Sequence, residues 1–364
     1  MIVPDPPDDA TLPHDVLTDL AVGQDWLGTW WPAGVLAVGS AVLVVVAVRR
    51  SRSAGRVRRR WPAVVGAALA LLLACGAGVN TAVGYVPNLS AARMLLTGVY
   101  QSAHTGGGRI TAQIIRAPAN LRIPVSATWV YTPPGYHAGG SARYPVVYLL
   151  HGTPGQSADW FAAGDVASVM NVLIKEHLVR PMIIIAPDVN GHGQDDTECL
   201  DSTHGGSKVE SYLSTVVVPW VDAHYRTVAD WPFRAIGGMS SGGFCALDQG
   251  LRHPELYGSI IALEPYDNPG AGGRAMLSTQ AQYDARSPGY YLSMMTFVHP
   301  VATFLDIGSL GSGDGSQTVR TAAQLNARGQ EVYSRVEPGQ GHNWTMARTG
   351  IPYGLVFVSQ HMPA

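Results

Sequence analysis

The sequence predicts a pair of membrane-spanning helices followed by one large domain with a doubly wound, mostly parallel α/β sheet. Three observations lead to this prediction. Two uncharged apolar runs lie near the N-terminus with a cluster of arginines between them. Beyond residue 109, short apolar runs alternate with amphipathic segments of helical period, the succession typical of a parallel sheet covered by helices. One of these strand-like runs is followed by a glycine-rich turn and another helical segment.

The charge distribution separates three regions. Charged residues make up 14% of the 364 residues, against about 25% in ordinary soluble domains. Residues 1–28 carry six Asp and no Lys or Arg, whereas residues 49–60 carry seven Arg and no acid. Residues 93–364 are near balance, with 17 basic and 20 acidic groups. No basic patch with interleaved aromatic residues occurs in this last region, which argues against nucleic acid as a partner.

The two apolar runs span residues 26–48 and 61–86. Each offers about 20 uncharged residues, the length that crosses a hydrocarbon core of about 30 Å at a rise of about 1.5 Å per residue. The arginines of residues 49–60 favour a cytoplasmic loop between the runs. Aromatic residues lie where an interfacial belt is expected, namely Trp30, Trp31, Trp61 and Tyr85. We therefore expect residues 26–86 to form a two-pass hairpin in the lipid bilayer of the cell membrane.

This topology places both termini outside the cytoplasm, with residues 1–25 as an acidic tail and residues 87–108 as a membrane-proximal linker. The first alternative is a pair of buried helices in a soluble fold, which the arginine-rich loop disfavours. The second is a cleavable signal peptide, which the acidic rather than basic leading segment disfavours.

Residues 109–364 form the predicted α/β domain. Eight strands are expected, within RITAQIIRA, PVSATWVYTPPGY, YPVVYLLHG, PMIIIAPD, FRAIGG, YGSIIALEP, ATFLDIGSL and QEVYSRVEP. Helical segments separate them, among them SKVESYLSTVVVPWVDAHYR, in which Pro219 is expected to kink or interrupt the helix. A covering segment, or lid, is expected within residues 265–300.

The glycine-rich turn is GGMSSGGFC, which begins at Gly237. It contains the spacing Gly-x-Ser-x-Gly, with Ser240 at the centre, after the strand FRAI and before a helix. A strand, a turn too tight for flanking side chains and a helix together make a nucleophile elbow. The helix N-terminus also offers backbone N–H groups to a developing oxyanion. Ser240 is therefore the candidate nucleophile.

A serine hydroxyl needs a base, and in this class of fold the chain order is serine, acid, histidine. His342, in the glycine-containing loop EPGQGHNWTMAR after the last strand, is the candidate base. His253 ends the helix after the elbow, where capping is the simpler role. His299 precedes Pro300 in a loop.

The acid is expected after the strand ATFLDIGSL. Asp314, in the loop GSGDG, is favoured because ligands and catalytic groups gather beyond the carboxyl ends of parallel strands. Asp306 is second, since it lies inside the apolar run itself. Glu264 and Asp267, after the preceding strand, remain further alternatives.

Two backbone N–H groups are needed for an oxyanion hole. Ser241, the residue after the nucleophile, is expected to supply one. Thr153, in the HGTPG loop after the strand YPVVYLL, is expected to supply the other. His151 in the same loop is interpreted as structural.

These segments together resemble the putative esterase family of α/β-hydrolases, which includes feruloyl esterases, S-formylglutathione hydrolase (esterase D) and mycolyltransferases. The matching segments are YPVVYLLHG, MIIIAPD, VVPWVDAHYRT, RAIGGMSSGGFCAL and PGQGHNW, spread over about 200 residues. The resemblance implies an α/β-hydrolase fold and acyl-ester chemistry with Ser240 as nucleophile and His342 as base. The hairpin is similar to a membrane-anchored form of the family in actinobacteria, whose domain faces the cell envelope.

The three cysteines divide by location. Cys75 lies mid-membrane in the second apolar run. Cys199 and Cys245 both fall in the predicted external domain, where a disulfide between them is expected; two free thiols are the alternative.

The loop around Cys199 also holds His192, Asp195, Asp196, Asp201 and His204. Their spacing matches no established metal-ligand pattern, so a substrate-facing loop is favoured over a metal site.

The sequence therefore predicts a membrane-anchored extracytoplasmic serine esterase that needs no cofactor and acts on an acyl ester. One alternative is an envelope acyltransferase, similar to a mycolyltransferase, that transfers an acyl group to a sugar hydroxyl, with an envelope glycolipid as partner. The other is a non-catalytic envelope scaffold that retains the fold.

Overall fold

Two long apolar helices precede the α/β domain. The structure is a computed structural model, and it describes residues 12–20, 25–52, 61–98, 107–311 and 314–364. The helices are α1 His14–Asp19, α2 Trp30–Arg52, α3 Trp61–Val83, α4 Leu89–Thr97, α5 Asp159–Ala162, α6 Val166–Lys175, α7 Val209–Tyr212, α8 Val218–His224, α9 Ser241–Arg252, α10 Gly270–Met276, α11 Gln280–Asp284, α12 Pro288–Tyr291, α13 Asp314–Ala327 and α14 Trp344–His361. The strands are β1 Arg109–Ile114, β2 Ala127–Thr132, β3 Val146–Leu150, β4 Ile183–Ala186, β5 Arg234–Met239, β6 Ser259–Leu263, β7 Ala302–Gly308 and β8 Val332–Glu337.

Helices α2 and α3 pack against each other as an antiparallel hairpin. Ser40 Oγ donates to the carbonyl of Ala67 at 2.9 Å, and Thr81 Oγ1 donates to the carbonyl of Thr29 at 2.8 Å. Their outward faces carry large apolar side chains in solvent-accessible positions, such as Leu72, which is 69% exposed. Such exposure is unlike a core helix of a soluble domain, and it is compatible with membrane anchoring. Within the predicted arginine-rich loop, residues 53–60 lie outside the described residues.

One asparagine links the two chain segments at the outer end of the hairpin. The outer end is the one that carries Trp30 and Val83. Asn80 Nδ2 donates to the carbonyls of Leu27 and Val86 at 3.0 and 2.9 Å, while its Oδ1 accepts from the Val86 amide at 2.7 Å. The chain segments that enter α2 and leave α3 are therefore held together.

The sheet has eight strands in the described residues, in the order β1-β2-β4-β3-β5-β6-β7-β8. The first two strands pair antiparallel with each other, and β2 pairs antiparallel with β4. Strands β4, β3, β5, β6, β7 and β8 are parallel. All eight strands occur where the apolar runs predict them.

Both faces of the sheet are covered, and this explains why the central strands read as continuous apolar runs. On β3, Val147 and Leu149 join a core with α6 and α14, whereas Val146, Tyr148 and Leu150 join a core with α7, α8, α9 and α13. Strands buried on both faces need apolar side chains at every position.

The helix around Pro219 is continuous but irregular, since its hydrogen-bond pattern changes just before the proline. The helix divides into α7, a π-helical turn over Leu213–Val217, and α8, in whose first turn the proline lies. Proline has no N–H to donate, so it is tolerated where a new helical segment begins.

Two N-terminal segments pack onto the α/β domain more closely than a tail and a linker would. Leu12, Val16 and Leu20 of the predicted acidic tail are buried in the core beside α6. Helix α4, inside the predicted linker, packs on α5 and buries Ala91 and Met94. Short apolar patterns of one or two turns do not distinguish such docking segments from linkers.

Candidate active site

Ser240 lies on a strained turn between β5 and α9. Its backbone has φ 62° and ψ −124°, a conformation that non-glycine residues rarely adopt. A Cβ on Gly238 would collide with the carbonyl of Gly242, and a Cβ on Gly242 would collide with the carbonyl of Leu150. Both glycines are thus required by close approach of the backbone, and the turn has the geometry of a nucleophile elbow.

His342 lies beside Ser240. The histidine belongs to the loop between β8 and α14, and its Nε2 is 2.7 Å from Ser240 Oγ. Asn343, the next residue, caps α14 by accepting from the Met346 amide at 3.0 Å. The helix start therefore fixes the loop, and the loop holds the imidazole over the elbow.

Glu264 is the described carboxylate that faces the other side of this imidazole. It follows β6 directly, is fully buried, and has a positive φ of 49°. Its Oε1 accepts from the Gly308 amide at 2.7 Å, and its Oε2 lies 3.6 Å from His342 Nδ1. Among the described residues, Oε2 has no hydrogen-bond partner. The sequence favoured Asp314 and Asp306 over Glu264. The sequence feature that points to Glu264 is a carboxylate directly after a buried strand.

The other candidate acids have different positions. Asp314 begins α13, and its side chain lies outside the described residues. Asp306 is buried within β7, with Oδ2 3.8 Å from Arg335 Nη1. Burial, together with the Glu337 carboxylate, raises the pKa of Asp306. Asp267 binds the guanidinium of Arg320, with Nε donating at 2.7 Å.

The remaining candidate histidines have structural contacts. His253 bonds to two glutamates, including Glu210 at 3.0 Å. The ring of His299 stacks on Trp231 with centroids 4.7 Å apart. His151 is fully buried, and its Nε2 accepts from the Val189 amide at 3.1 Å.

The two predicted oxyanion residues are adjacent. Ser241 Oγ donates to Thr153 Oγ1 at 3.1 Å, and Thr153 Oγ1 donates to Asp196 Oδ1 at 3.1 Å. These bonds join the start of α9 to the loop after β3. Both residues therefore lie beside the elbow.

A pocket of about 610 Å³ opens over these groups. Ser240, His342 and the 152–156 loop line it, together with residues 343–344. Val83 and Tyr85, from the outer end of the hairpin, form a further part of its wall. The sequence did not predict this contribution, because it depends on contacts between residues far apart in the chain.

Cys199 and Cys245 form a disulfide, as predicted, with Cα atoms 5.4 Å apart. It ties the 191–206 loop to α9, directly behind the elbow. Cys75 is exposed on α3.

The titratable side chains of the 191–206 loop do not converge. Asp196 contacts Thr153, Asp201 accepts from the Ser211 amide at 3.0 Å, and His204 contacts Ser278. His192 and Asp195 are exposed. In the described part of the chain, no three His, Cys, Asp or Glu side chains group as metal ligands do.

Glu198, in the same loop, is a buried acid. Its Oε1 accepts from the Tyr266 hydroxyl at 2.6 Å. Burial, assisted by the neighbouring Asp196 carboxylate, raises the pKa of Glu198 from 4.5 to about 8. The folded protein therefore holds a proton here at neutral pH that the unfolded chain releases.

Folding stability is expected to fall as pH rises between about 5 and 8, with a contribution from Glu198 of up to about 1.4 kcal/mol per pH unit. The sign follows because the folded state binds the extra proton in this window. Glu198→Gln should remove that part of the pH dependence, which Tm values of both proteins in detergent at pH 5, 6.5 and 8 would measure. A constant Tm difference between the two across this range would contradict the assignment.

Sequence comparisons identify relatives of this chain. A family described as putative esterase matches residues 126–346. An uncharacterised protein of Corynebacterium glutamicum is 33% identical over 146 residues, 40% of this chain and 34% of that protein. An esterase of Mycobacterium tuberculosis is 30% identical over 140 residues, 38% of this chain and 28% of that protein. The matched region thus spans about a third or less of these curated relatives.

Solved structures share the fold over most of the α/β domain. A ferulic acid esterase aligns with a TM-score of 0.62 and 24% identity, over 70% of this chain and 99% of that one. An S-formylglutathione hydrolase of Agrobacterium tumefaciens aligns with a TM-score of 0.61 and 18% identity, over 73% and 99%. These alignments establish the α/β-hydrolase fold. Since the family match covers more than half of its length, the chain belongs to the putative esterase family of α/β-hydrolases.

Proposed function

We propose that this protein is a membrane-anchored serine esterase that cleaves a carboxylic ester through an acyl-enzyme on Ser240. The observation that carries the proposal is the 2.7 Å contact between Ser240 Oγ and His342 Nε2 on a strained elbow. A serine hydroxyl is a weak nucleophile until a neighbouring base accepts its proton, and this contact supplies the base.

In the first step, Ser240 Oγ attacks the ester carbonyl while its proton moves to His342 Nε2. The carbonyl oxygen becomes an oxyanion, for which the Thr153 and Ser241 N–H groups are the proposed donors. The tetrahedral intermediate then expels the alcohol, which takes the proton from His342 Nε2. A water molecule then gives one proton to the same nitrogen while its oxygen attacks the acyl carbonyl. The second tetrahedral intermediate releases the carboxylic acid as the proton returns from His342 Nε2 to Ser240 Oγ.

Glu264 is the proposed partner of His342 Nδ1. Its Oε2 lies 3.6 Å from that nitrogen, close enough for an electrostatic contact that stabilises the imidazolium. The hydrogen bond from the Gly308 amide holds the carboxylate in place. Asp314 stays the prediction from the sequence, and the two acids are distinguished by the experiment given in the Discussion.

The membrane anchor is proposed to be α2 and α3, with the α/β domain outside the cytoplasm. Two apolar helices that return the chain to its starting side would leave both flanking segments on one side of the bilayer. This agrees with the packing of residues 12–20 and of Asp25 against the α/β domain, where Arg348 Nε donates to Asp25 Oδ2 at 2.8 Å. The arginine-rich sequence of residues 49–60 favours the cytoplasm for the intervening loop.

A fluorophosphonate probe tests the proposed nucleophile. The full-length protein should take up one probe per chain, and peptide mass mapping should locate it on Ser240. Ser240→Ala should abolish labelling, whereas Ser293→Ala, at an exposed serine far from the elbow in the sequence, should label as the wild type does. Equal labelling of Ser240→Ala and wild type would overturn the proposal.

A further inference from the structure

The outer end of the hairpin forms part of the pocket that holds Ser240. Val83 is the last residue of α3, and Val83 and Tyr85 line the pocket together with Ser240 and His342. The segment that anchors the protein is therefore also a wall of the candidate active site.

Hydrogen bonds fix this wall to the loop of the proposed oxyanion hole. Tyr85 Oη donates to Asp159 Oδ1 at 2.7 Å, and Asp159 Oδ2 accepts from the Gln156 amide at 2.9 Å. Asp159 is fully buried.

A second set of contacts joins the wall to α14, the helix that follows His342. Arg348 Nη1 donates to the carbonyls of Gly84 and Ala163 at 2.6 and 2.5 Å. Asn343 Nδ2 donates to the carbonyl of Ala82 at 3.3 Å. The end of α3 is thus hydrogen-bonded both to the loop after β3 and to α14, so its position in the pocket wall is fixed.

The position of this wall relative to a bilayer follows from helix length. The 23 residues of α3 extend over about 34 Å, slightly more than a hydrocarbon core of about 30 Å. Val83 then lies at the boundary between hydrocarbon and headgroups, where the ester carbonyls of lipids also lie. Trp30 and Trp31, at the same end of the hairpin, are 67% and 78% exposed, as expected of interfacial aromatic residues.

Helix α4 supplies an independent observation at the same level. It follows α3 after a short turn and exposes Leu89 and Leu96, which are 65% and 86% exposed. Its opposite side is anchored by Ala91 and Met94. An apolar surface this close to the end of a membrane helix is suited to contact with the acyl boundary of a bilayer.

We propose that the ester cleaved at Ser240 is a membrane-resident amphiphile, whose acyl chain remains in the bilayer beside α3 while its carbonyl enters the pocket past Val83 and Tyr85. This inference rests on the proposed esterase function and adds the substrate class and the route of entry. The proposed substrate is a lipid ester, with a long acyl chain in the bilayer and a headgroup at the water interface.

The test uses full-length protein in phospholipid nanodiscs and two fluorogenic esters of one alcohol, umbelliferyl palmitate within the bilayer and umbelliferyl acetate in water. Palmitate turnover should follow its mole fraction in the lipid and not its bulk concentration. Val83→Gln should lower the palmitate-to-acetate ratio of kcat/KM about tenfold, because it places a polar group where an apolar chain would pack. Val79→Gln, at an exposed valine one turn earlier on α3, is the matched control and should leave that ratio unchanged.

The outcomes separate this inference from the proposed function. If neither ester is cleaved and Ser240 resists the fluorophosphonate probe, the esterase proposal fails. If acetate is cleaved and Ser240 is labelled, the substrate inference fails when palmitate turnover follows bulk concentration. It fails also when the two valine variants change the ratio equally. If Val83→Gln does not fold, the dependence of palmitate turnover on its mole fraction in the lipid decides whether the substrate inference holds.

Discussion

Replacing His342 with alanine is expected to lower kcat for umbelliferyl acetate by about 10⁴- to 10⁶-fold, with little change in KM. The reason is that Ser240 Oγ would lose the base 2.7 Å away that accepts its proton and later protonates the alcohol. Stopped-flow and steady-state assays of the purified full-length protein would measure the effect. The residual rate should match that of Ser240→Ala, since the two residues act as one unit.

His299 provides the control for this prediction. Its ring stacks on Trp231 at 4.7 Å and has no contact with Ser240 among the described residues. His299→Ala should leave kcat within about twofold of wild type, as substitutions remote from a site usually do. A His342→Ala variant that kept a tenth of wild-type kcat would contradict the assigned base.

Replacing Glu264 with glutamine is expected to lower kcat by about 10³- to 10⁴-fold while the fold is retained. The amide is nearly the same size as the carboxylate but has no negative charge to stabilise the His342 imidazolium. Its NH₂ group can also face Nδ1 as a donor, which would favour the tautomer that cannot accept the Ser240 proton at Nε2. Steady-state kcat, combined with Tm as a check of folding, measures the effect.

Two further variants decide between the acids. Asp267→Asn is the matched control, since Asp267 also follows β6 but binds Arg320; it should lower kcat much less than Glu264→Gln. Asp314→Asn tests the prediction made from the sequence. If Asp314→Asn lowers kcat more than Glu264→Gln does, the acid is Asp314 and the assignment of Glu264 is overturned.

The fold could be predicted because its signals are local. Strands buried on both faces read as short apolar runs, and all eight occur where those runs lie. The elbow was also predictable, since the spacing Gly-x-Ser-x-Gly between a strand and a helix is a local pattern, and a Cβ on Gly238 would collide with Gly242 in the same turn. Cys199 and Cys245 were the two cysteines outside the apolar helices, so their pairing followed from composition and from the expected extracytoplasmic location.

The proximity of Glu264 to His342 could not be predicted in the same way. Glu264 reaches His342 because its backbone adopts a positive φ at the end of β6 and the Gly308 amide binds its Oε1. Neither feature has a sequence signal, since the first is a conformation and the second comes from a neighbouring strand. The sequence favoured Asp314 because it lies in a loop beyond the carboxyl end of a predicted parallel strand.

The contribution of the hairpin to the pocket was hidden for a related reason. It depends on contacts such as that between Asn343 and Ala82, which are 261 residues apart. Hydropathy identifies an apolar helix and its length, but it does not show which surface the end of that helix contacts. Val83 and Tyr85 thus appear in the sequence only as the end of an apolar run.

The ion pair between Asp25 and Arg348 has a consequence for biosynthesis. The two residues are separated by 323 positions and both side chains are nearly buried. At a synthesis rate of about 5 to 20 residues per second, Asp25 waits roughly 15 to 65 s for its partner to be made. The proposed membrane hairpin is therefore synthesised long before α14 exists, and its contact with Arg348 is among the last to form during synthesis. A nascent chain that stops short of Arg348 would contain the proposed anchor but not the contact that holds it to α14.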